Sequence, residues 1–263
     1  MEALGKKYNA VLQQTMLRIK DPKVSVPFYE KHFGMQLVHK YDFPQWKFSL
    51  YFLERPSASF EGCGEPGTPT SENYLWNMTG QCTLELTHNH GSEDDPDFSV
   101  WSGNGGRDLP RDSSLFIENG PVRGFGHVAF NVDDVYAYSA ALEEEGVRFQ
   151  KKPDEGRMKG LAFCLDPDGY WIELVARSRS FPGVSANLSQ TMLRVKDAAA
   201  TVDFYQNVMG MQLMRKMEIP NDFTNYFLTS VLTPDEKERY DKEQIDPNST
   251  EASEFTHSLW YPI

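Results

Sequence analysis

Residues 12–19, Leu-Gln-Gln-Thr-Met-Leu-Arg-Ile, set apolar side chains between polar ones with a weak two-residue rhythm, the pattern of a strand with one buried face. Asp21-Pro22 then supplies an N-cap and a first-turn proline. In the helix predicted there, Val24, Val26, Phe28, Tyr29 and Phe33 gather on one side, and Gly34 stands where it should stop. Strands are expected over 35–43 and 47–53. The Pro, Ser and Gly of 54–80 predict an insertion loop, and 82–88 returns to the sheet. A second loop over 91–121, rich in Gly, Asp, Ser and Pro, precedes a similar order of elements. It runs through a strand at 125–132, a helix at 133–145 closed by Gly146, and strands at 147–150 and 161–165. The tight turn Asp166-Pro167-Asp168-Gly169 leads into a last strand at 170–175.

After a linker over 177–186 the pattern starts again. Gln-Thr-Met-Leu-Arg-Ile-Lys-Asp at 14–21 returns as Gln-Thr-Met-Leu-Arg-Val-Lys-Asp at 190–197, an offset of 176 (190 − 14). The same offset pairs Phe28-Tyr29 with Phe204-Tyr205 and Gly34 to Leu37 with Gly210 to Leu213, so tandem duplication is the economical account. The expected class is α+β, with a first domain over 1–180, holding modules at 12–92 and 124–177, and a partial second domain over 181–263. A charged insertion over 235–254 and Trp260, the mate of Trp76, leave the third module cut short on this reading.

At 263 residues the chain has length for two ordinary domains. Its net charge of −12, with no basic run carrying interleaved aromatics, opposes a nucleic-acid partner. Neither a signal-peptide core nor an apolar stretch near the ~20 residues of a membrane span occurs, so no membrane partner and a cytoplasmic location are expected. Cys63, Cys82 and Cys164 are odd in number and scattered, which suits reduced thiols rather than a zinc clip. Without a secretion signal, the sequons at Asn77, Asn187 and Asn248 read as chance matches.

Four polar residues interrupt strand-like apolar runs: Gln14, Glu85, His127 and Glu173. Such a residue ordinarily faces water. Glu173 nevertheless shares its strand face with Trp171 and Val175, and His127 with Phe125 and Ala129, which suggests pockets. A buried carboxylate needs a partner, and a metal is one way to supply it. Oxygen and imidazole donors without thiolate suit Zn, Ni, Co or Mn, although the spacing alone demands no metal. Arg18, Arg123 and Lys151-Lys152 lie near these strands and could gather a small ligand bearing carboxylates, against the plainer reading of scattered surface charge.

At these residues the chain resembles the glyoxalase I (lactoylglutathione lyase) family in its long, tandem eukaryotic form, within the vicinal oxygen chelate superfamily. The resemblance covers 12–176 and rests on Gln-Gln-Thr-Met-Leu-Arg, Asp-Phe-Pro, Lys-Phe-Ser-Leu-Tyr-Phe-Leu, Leu-Glu-Leu-Thr-His-Asn, Arg-Gly-Phe-Gly-His, Met-Lys-Gly-Leu-Ala-Phe and Asp-Pro-Asp-Gly-Tyr-Trp-Ile-Glu. It implies repeated βαβββ modules and a carbon–sulfur lyase that isomerises the methylglyoxal–glutathione hemithioacetal to S-lactoylglutathione, which detoxifies methylglyoxal. The cofactors implied are a divalent metal, Zn2+ before Ni2+, and glutathione as co-substrate. The implied metal ligands are Gln14, Glu85, His127 and Glu173, with Glu173 as principal base and Glu85 as its counterpart on the opposite face. Arg18, Asn89, Arg123 and Lys151 match glutathione-holding positions, Phe43, Leu50 and Phe52 the pocket for the aldehyde methyl, and Met158 the segment that closes over ligand. The longer loop over 91–121 departs from the family pattern.

In this family one module supplies Gln and Glu to a shared groove and another supplies His and Glu. By that resemblance His127 and Glu173 should face Gln190, whose own Glu would lie past the terminus. The active form is therefore expected to need a missing C-terminal module, or a homodimer through the first domains that joins Gln14 and Glu85 to His127 and Glu173. Three other classes stay open: an extradiol dioxygenase, which Gln14 speaks against, a drug-sequestering binding module with no need of the metal residues, and an inactive fragment.

Overall fold

A computed structural model describes residues 3–55, 62–77, 82–104, 116–117, 120–121, 124–176, 186–230 and 238. The chain divides into two compact units, 14–194 and 1–13 with 195–263.

In the first unit, strand β1 (Gln14–Ile19) leads into helix α2 (Pro22–Phe33), with β2 (Gln36–Phe43), β3 (Phe48–Glu54) and β4 (Thr83–Asn89) following. The Asp21 carboxylate accepts from the Lys23 amide at 2.8 Å, and Gly34 closes the helix at φ 63°, a conformation that glycine adopts without a Cβ penalty. The sheet order is β1-β4-β3-β2, with β1 parallel to β4 and the other pairs antiparallel. The same plan repeats in β7 (Phe125–Val132), α4 (Val135–Glu144), β8 (Phe149–Lys151), β9 (Leu161–Leu165) and β10 (Trp171–Ala176). There the order is β11-β7-β10-β9-β8, and the added strand β11 (Ala186–Leu193) is the opening strand of the tandem copy, antiparallel to β7. These are the expected βαβββ modules.

One face of each sheet feeds a single core. Leu17, Ile19, Leu84 and Leu86 come from the first sheet, Val128, Phe130, Val132, Ile172 and Leu174 from the second. Tyr29 and Phe33 of α2 join them, with the Phe33 and Phe130 rings 4.4 Å apart. The β9–β10 turn is fastened to the first module by polar contacts. Tyr29 Oη donates to Asp166 Oδ2 at 2.9 Å, while Asp168 accepts from the Lys20 amide and from Ser25 Oγ, each at 2.9 Å.

The insertion expected to be all loop contains helix α3 (Pro69–Asn77), and here the structure corrects the sequence reading. Its hydrophobic pattern is weak: Leu75 is its one fully buried apolar side chain, completing a core with Val38 and Phe52, and Tyr74 packs against it partly buried; Trp76 lies against Phe52 at 6.1 Å and donates to Tyr41 Oη at 2.8 Å. The second loop holds a short pairing of β5 (Phe116–Ile117) with β6 (Gly120–Pro121). Of the expected linker, 177–185 lie outside the described residues, as do most of the charged insertion and Trp260.

In the second unit, α5 (Ala198–Asn207) is capped by Asp197 on the Ala200 amide at 3.0 Å and precedes the hairpin β12 (Gln212–Ile219) and β13 (Phe223–Thr229). The short helix α1 (Leu4–Lys7) belongs to this unit. The Gly5 amide donates to the Val208 carbonyl at 2.7 Å, and a Cβ at Gly5 would lie 1.7 Å from the Met209 carbonyl oxygen, so only glycine allows that approach.

Candidate metal centre

The core takes alternate residues of β1 and β4, so the intervening residues form the opposite face. Parallel pairing of Met16 with Glu85 aligns Gln14, Met16 and Arg18 beside Thr83, Glu85, Thr87 and Asn89 there. The Gln14 amide nitrogen donates to the Glu85 carboxylate, and Thr87 Oγ1 donates to its other oxygen at 3.1 Å. Burial raises the Glu85 pKa against the lowering effects of Thr87 and Arg18. Gln14 Oε1 is buried with no hydrogen-bond partner. The orphaned Gln14 amide oxygen and the buried Glu85 carboxylate offer oxygen lone pairs side by side, a donor set that fits a divalent cation. Further along this face, Arg18 Nη1 donates to Asn89 Oδ1 at 2.6 Å.

On the second sheet, Glu173 of β10 and Gln190 of β11 both stand opposite Ala129 of β7, and His127 lies two residues back on the same face. His127 Nε2 is 3.1 Å from Glu173 Oε2, and Gln190 Nε2 donates to that same oxygen at 2.7 Å. His127 is 7% exposed. The Phe163 ring packs 5.3 Å from its imidazole and 5.4 Å from Trp171, so aromatic surface walls this carboxylate. Imidazole, carboxylate and amide oxygen again suit a borderline divalent ion.

The four ligands implied by the family resemblance thus fall into two groups, Gln14 with Glu85 and His127 with Glu173. Among the described residues no three His, Cys, Asp or Glu side chains converge, so Glu85 does not join His127 and Glu173 within one chain. Gln190 completes the second group; its signal in the sequence was its repeat relation to Gln14.

Of the expected ligand contacts, Lys151 donates through Nζ to the Leu161 carbonyl at 2.6 Å, and burial, then neighbouring Lys159, lower its pKa. Met158 is half-buried in the segment between β8 and β9. Phe43 and Leu50 are half-buried, whereas Phe52 is 1% exposed because α3 covers it. Arg123 lies outside the described residues.

The sequence model of the Glyoxalase/Bleomycin resistance protein/Dioxygenase superfamily matches residues 11–174 and 187–254. The chain is 42% identical over 224 residues to a Saccharomyces cerevisiae protein named glyoxalase I, covering 83% of this chain and 62% of that one. A lactoylglutathione lyase of Schizosaccharomyces pombe is 39% identical over 244 residues, covering 89% and 70%. One of Pseudomonas aeruginosa is 40% identical over 177 residues, covering 67% and 87%. The crystal structure of maize glyoxalase I superposes with a TM-score of 0.56 at 27% identity, over 83% of this chain and 62% of that one. The chain therefore spans less than two thirds of the length of the budding-yeast and maize proteins.

Proposed function

Because the chain belongs to the glyoxalase/bleomycin resistance protein/dioxygenase superfamily, we propose that it performs the chemistry for which its relatives are named, isomerising the methylglyoxal–glutathione hemithioacetal to S-lactoylglutathione and so detoxifying methylglyoxal. The observation that carries the reading is the meeting of His127 and Gln190 on one oxygen of Glu173, inside an aromatic wall. Glu173 takes the proton from one substrate carbon and returns it to the next, since it stands desolvated and oriented by two neighbours. Glu85, held by Gln14 and Thr87, plays the matching part in the other group. Phe163 and Trp171 exclude water from the carboxylate. Arg18 with Asn89, Arg123 and Lys151 receive the carboxylates of glutathione, and Met158 closes over the ligand. A divalent cation held by these residues, Zn2+ before Ni2+, would offset negative charge developing on the substrate oxygens.

The test is formation of S-lactoylglutathione, followed by thioester absorbance, after chelation and re-addition of single metals. Glu173→Gln should cost on the order of a hundredfold to ten-thousandfold in kcat, the usual worth of a positioned base, with affinity for S-methylglutathione retained. Turnover that survives Glu173→Gln would reject the assignment.

Each group is half of a centre on this reading. Strand β1 is the outer strand of its sheet, whereas the corresponding edge of β7 is occupied by β11. Carried back by the repeat offset, the β11–β7 register would set Gln14 opposite the Ala129 of a further β7-like strand and bring a second His and Glu to Gln14 and Glu85. That strand comes either from an additional module or from a second chain pairing through its first domain, and the second route requires β11 to leave β7. Metal bound per chain across a dilution series separates the two. The three cysteines are unpaired, which suits a reducing, cytoplasmic setting.

A further inference from the structure

Helix α3 lies on the same face of the first sheet as Glu85. Phe52 stands directly opposite Glu85 across β3 and β4, and Leu75 of the helix shares a small buried cluster with Phe52 and Val38. A helix of 9 residues with one fully buried apolar side chain has little to hold it, because so short a helix is marginal by itself and local opening is easiest where apolar contacts are few.

Its other attachments to the sheet are polar, and two of them reach buried side chains. Tyr74 Oη donates to Glu54 Oε1 at 2.5 Å, and Ser71 Oγ shares a hydrogen bond of 2.7 Å with His39 Nδ1. Glu54 is 0% exposed and lies two residues beyond Phe52, on the same face of β3; its Oε2 has no hydrogen-bond partner. Around it stand Tyr74 from α3, the Cys63 thiol from the segment before the helix, Arg55 from its own strand and the uncharged Gln36 opposite on β2. Burial pushes the Glu54 carboxyl up to about 7, against the lowering effects of Tyr74 and Arg55. Burial, with Glu54 itself and Glu65, also raises the Cys63 pKa, so that thiol adds no charge near neutral pH. His39 is faced by Glu72 of the helix and by the Tyr41 ring at 4.3 Å, and burial lowers its pKa. The docked helix thus favours an uncharged group at both buried attachments.

We propose that α3 is a latch over the face that carries Gln14 and Glu85, shut while Glu54 holds its proton and released when that proton is lost, which uncovers Phe52 beside Glu85. The release stands by itself, whereas its consequence for turnover rests on the reading of Gln14 and Glu85 as half of a catalytic centre. On that reading, a rise in pH opens the wall beside Glu85 to water.

An acid whose pKa is higher in the docked than in the released state stabilises docking fully below its ordinary value, and that contribution is lost as pH rises to the docked value. The opening constant of α3 should therefore rise roughly seventyfold between pH 5 and 8 and level off above 7. Hydrogen exchange of the α3 amides in the full chain, followed by mass spectrometry and corrected for the intrinsic rate, reads this constant. The reference is Glu54→Gln, whose amide oxygen still accepts from Tyr74 but which has no proton to lose. His39 acts equally in both chains, so the ratio of their opening constants isolates Glu54 and should carry the whole seventyfold rise. Leu75→Ala should open α3 faster at every pH with the wild-type pH dependence intact, while the β3 amides stay protected in all three chains. A flat ratio overturns the proposal, and so does α3 exchange that merely tracks β3, since the helix would then open only with its whole unit. Neither result touches the proposed function, and a chain without turnover leaves the latch standing, because exchange needs neither metal nor ligand.

Discussion

Replacing Asp166 by Asn should flatten the dependence of stability on pH. The carboxyl is 1% exposed, and burial, aided by the negative charge of Asp168, raises its pKa to about 7. Its oxygens accept from Tyr29 Oη at 2.9 Å and from the Asp168 and Tyr170 amides at 3.0 and 2.8 Å. An acid whose folded pKa lies above its unfolded value stabilises the fold fully below the unfolded pKa, and that contribution is lost as pH rises to the folded one. Between pH 5 and 7 the unfolded chain has released a proton that the folded chain keeps, so unfolding sheds it. Stability falls by about 1.4 kcal/mol per pH unit well below the folded pKa and by roughly 2 kcal/mol across those two units, since half of the folded chains have lost the proton at pH 7. Asparagine has no proton to lose, and its amide oxygen can still accept from both backbone amides while Tyr29 Oη turns to accept from its nitrogen. Urea unfolding at half-unit steps from pH 5 to 8, for both proteins, measures the difference. Wild type should lose about 3 kcal/mol more than Asp166→Asn over this range. Two curves that run parallel would refute the reasoning, because burial would then have left the carboxyl ionised.

Two further outcomes follow from the packing. Phe33→Ala removes a fully buried ring that meets Phe130 across the shared core and should destabilise the first unit by about 3–5 kcal/mol in the same urea assay. Gln190→Ala removes one of the three groups on the β7 side; the metal affinity of that group, read by competition with a chromophoric chelator, should fall while Gln14→Ala leaves it unchanged.

The modules were readable because their local signals agree with their packing. Asp21 and Gly34 bound α2 where the sequence set its ends, and the alternating pattern of β7 and β10 put His127 and Glu173 on one face. Helix α3 escaped notice because it sits in a Pro- and Gly-rich stretch and buries little more than Leu75, too small a stripe to show as periodicity. The separation of the candidate ligands into two groups was an expectation drawn from the repeat together with family resemblance, since 186–193 opens a new copy. That the copy would meet His127 and Glu173 was expected only through the family resemblance, and that the loop residue Asn104 would reach Arg194 depends on a contact between distant segments that no local pattern encodes.

The lodging of β11 on β7 alters how the pocket around His127 responds to concentration. A strand arriving from a separate molecule is lost on dilution, but one joined by a short connection meets its site at an effective concentration in the millimolar range, however few molecules share the solution. Thr15 and Thr191, the same position in two copies of one ancestral unit, touch through their hydroxyls, so a contact that a symmetric pair of molecules would make across its axis is here made within a single chain. With both copies carried on one polypeptide, that contact does not depend on two molecules meeting.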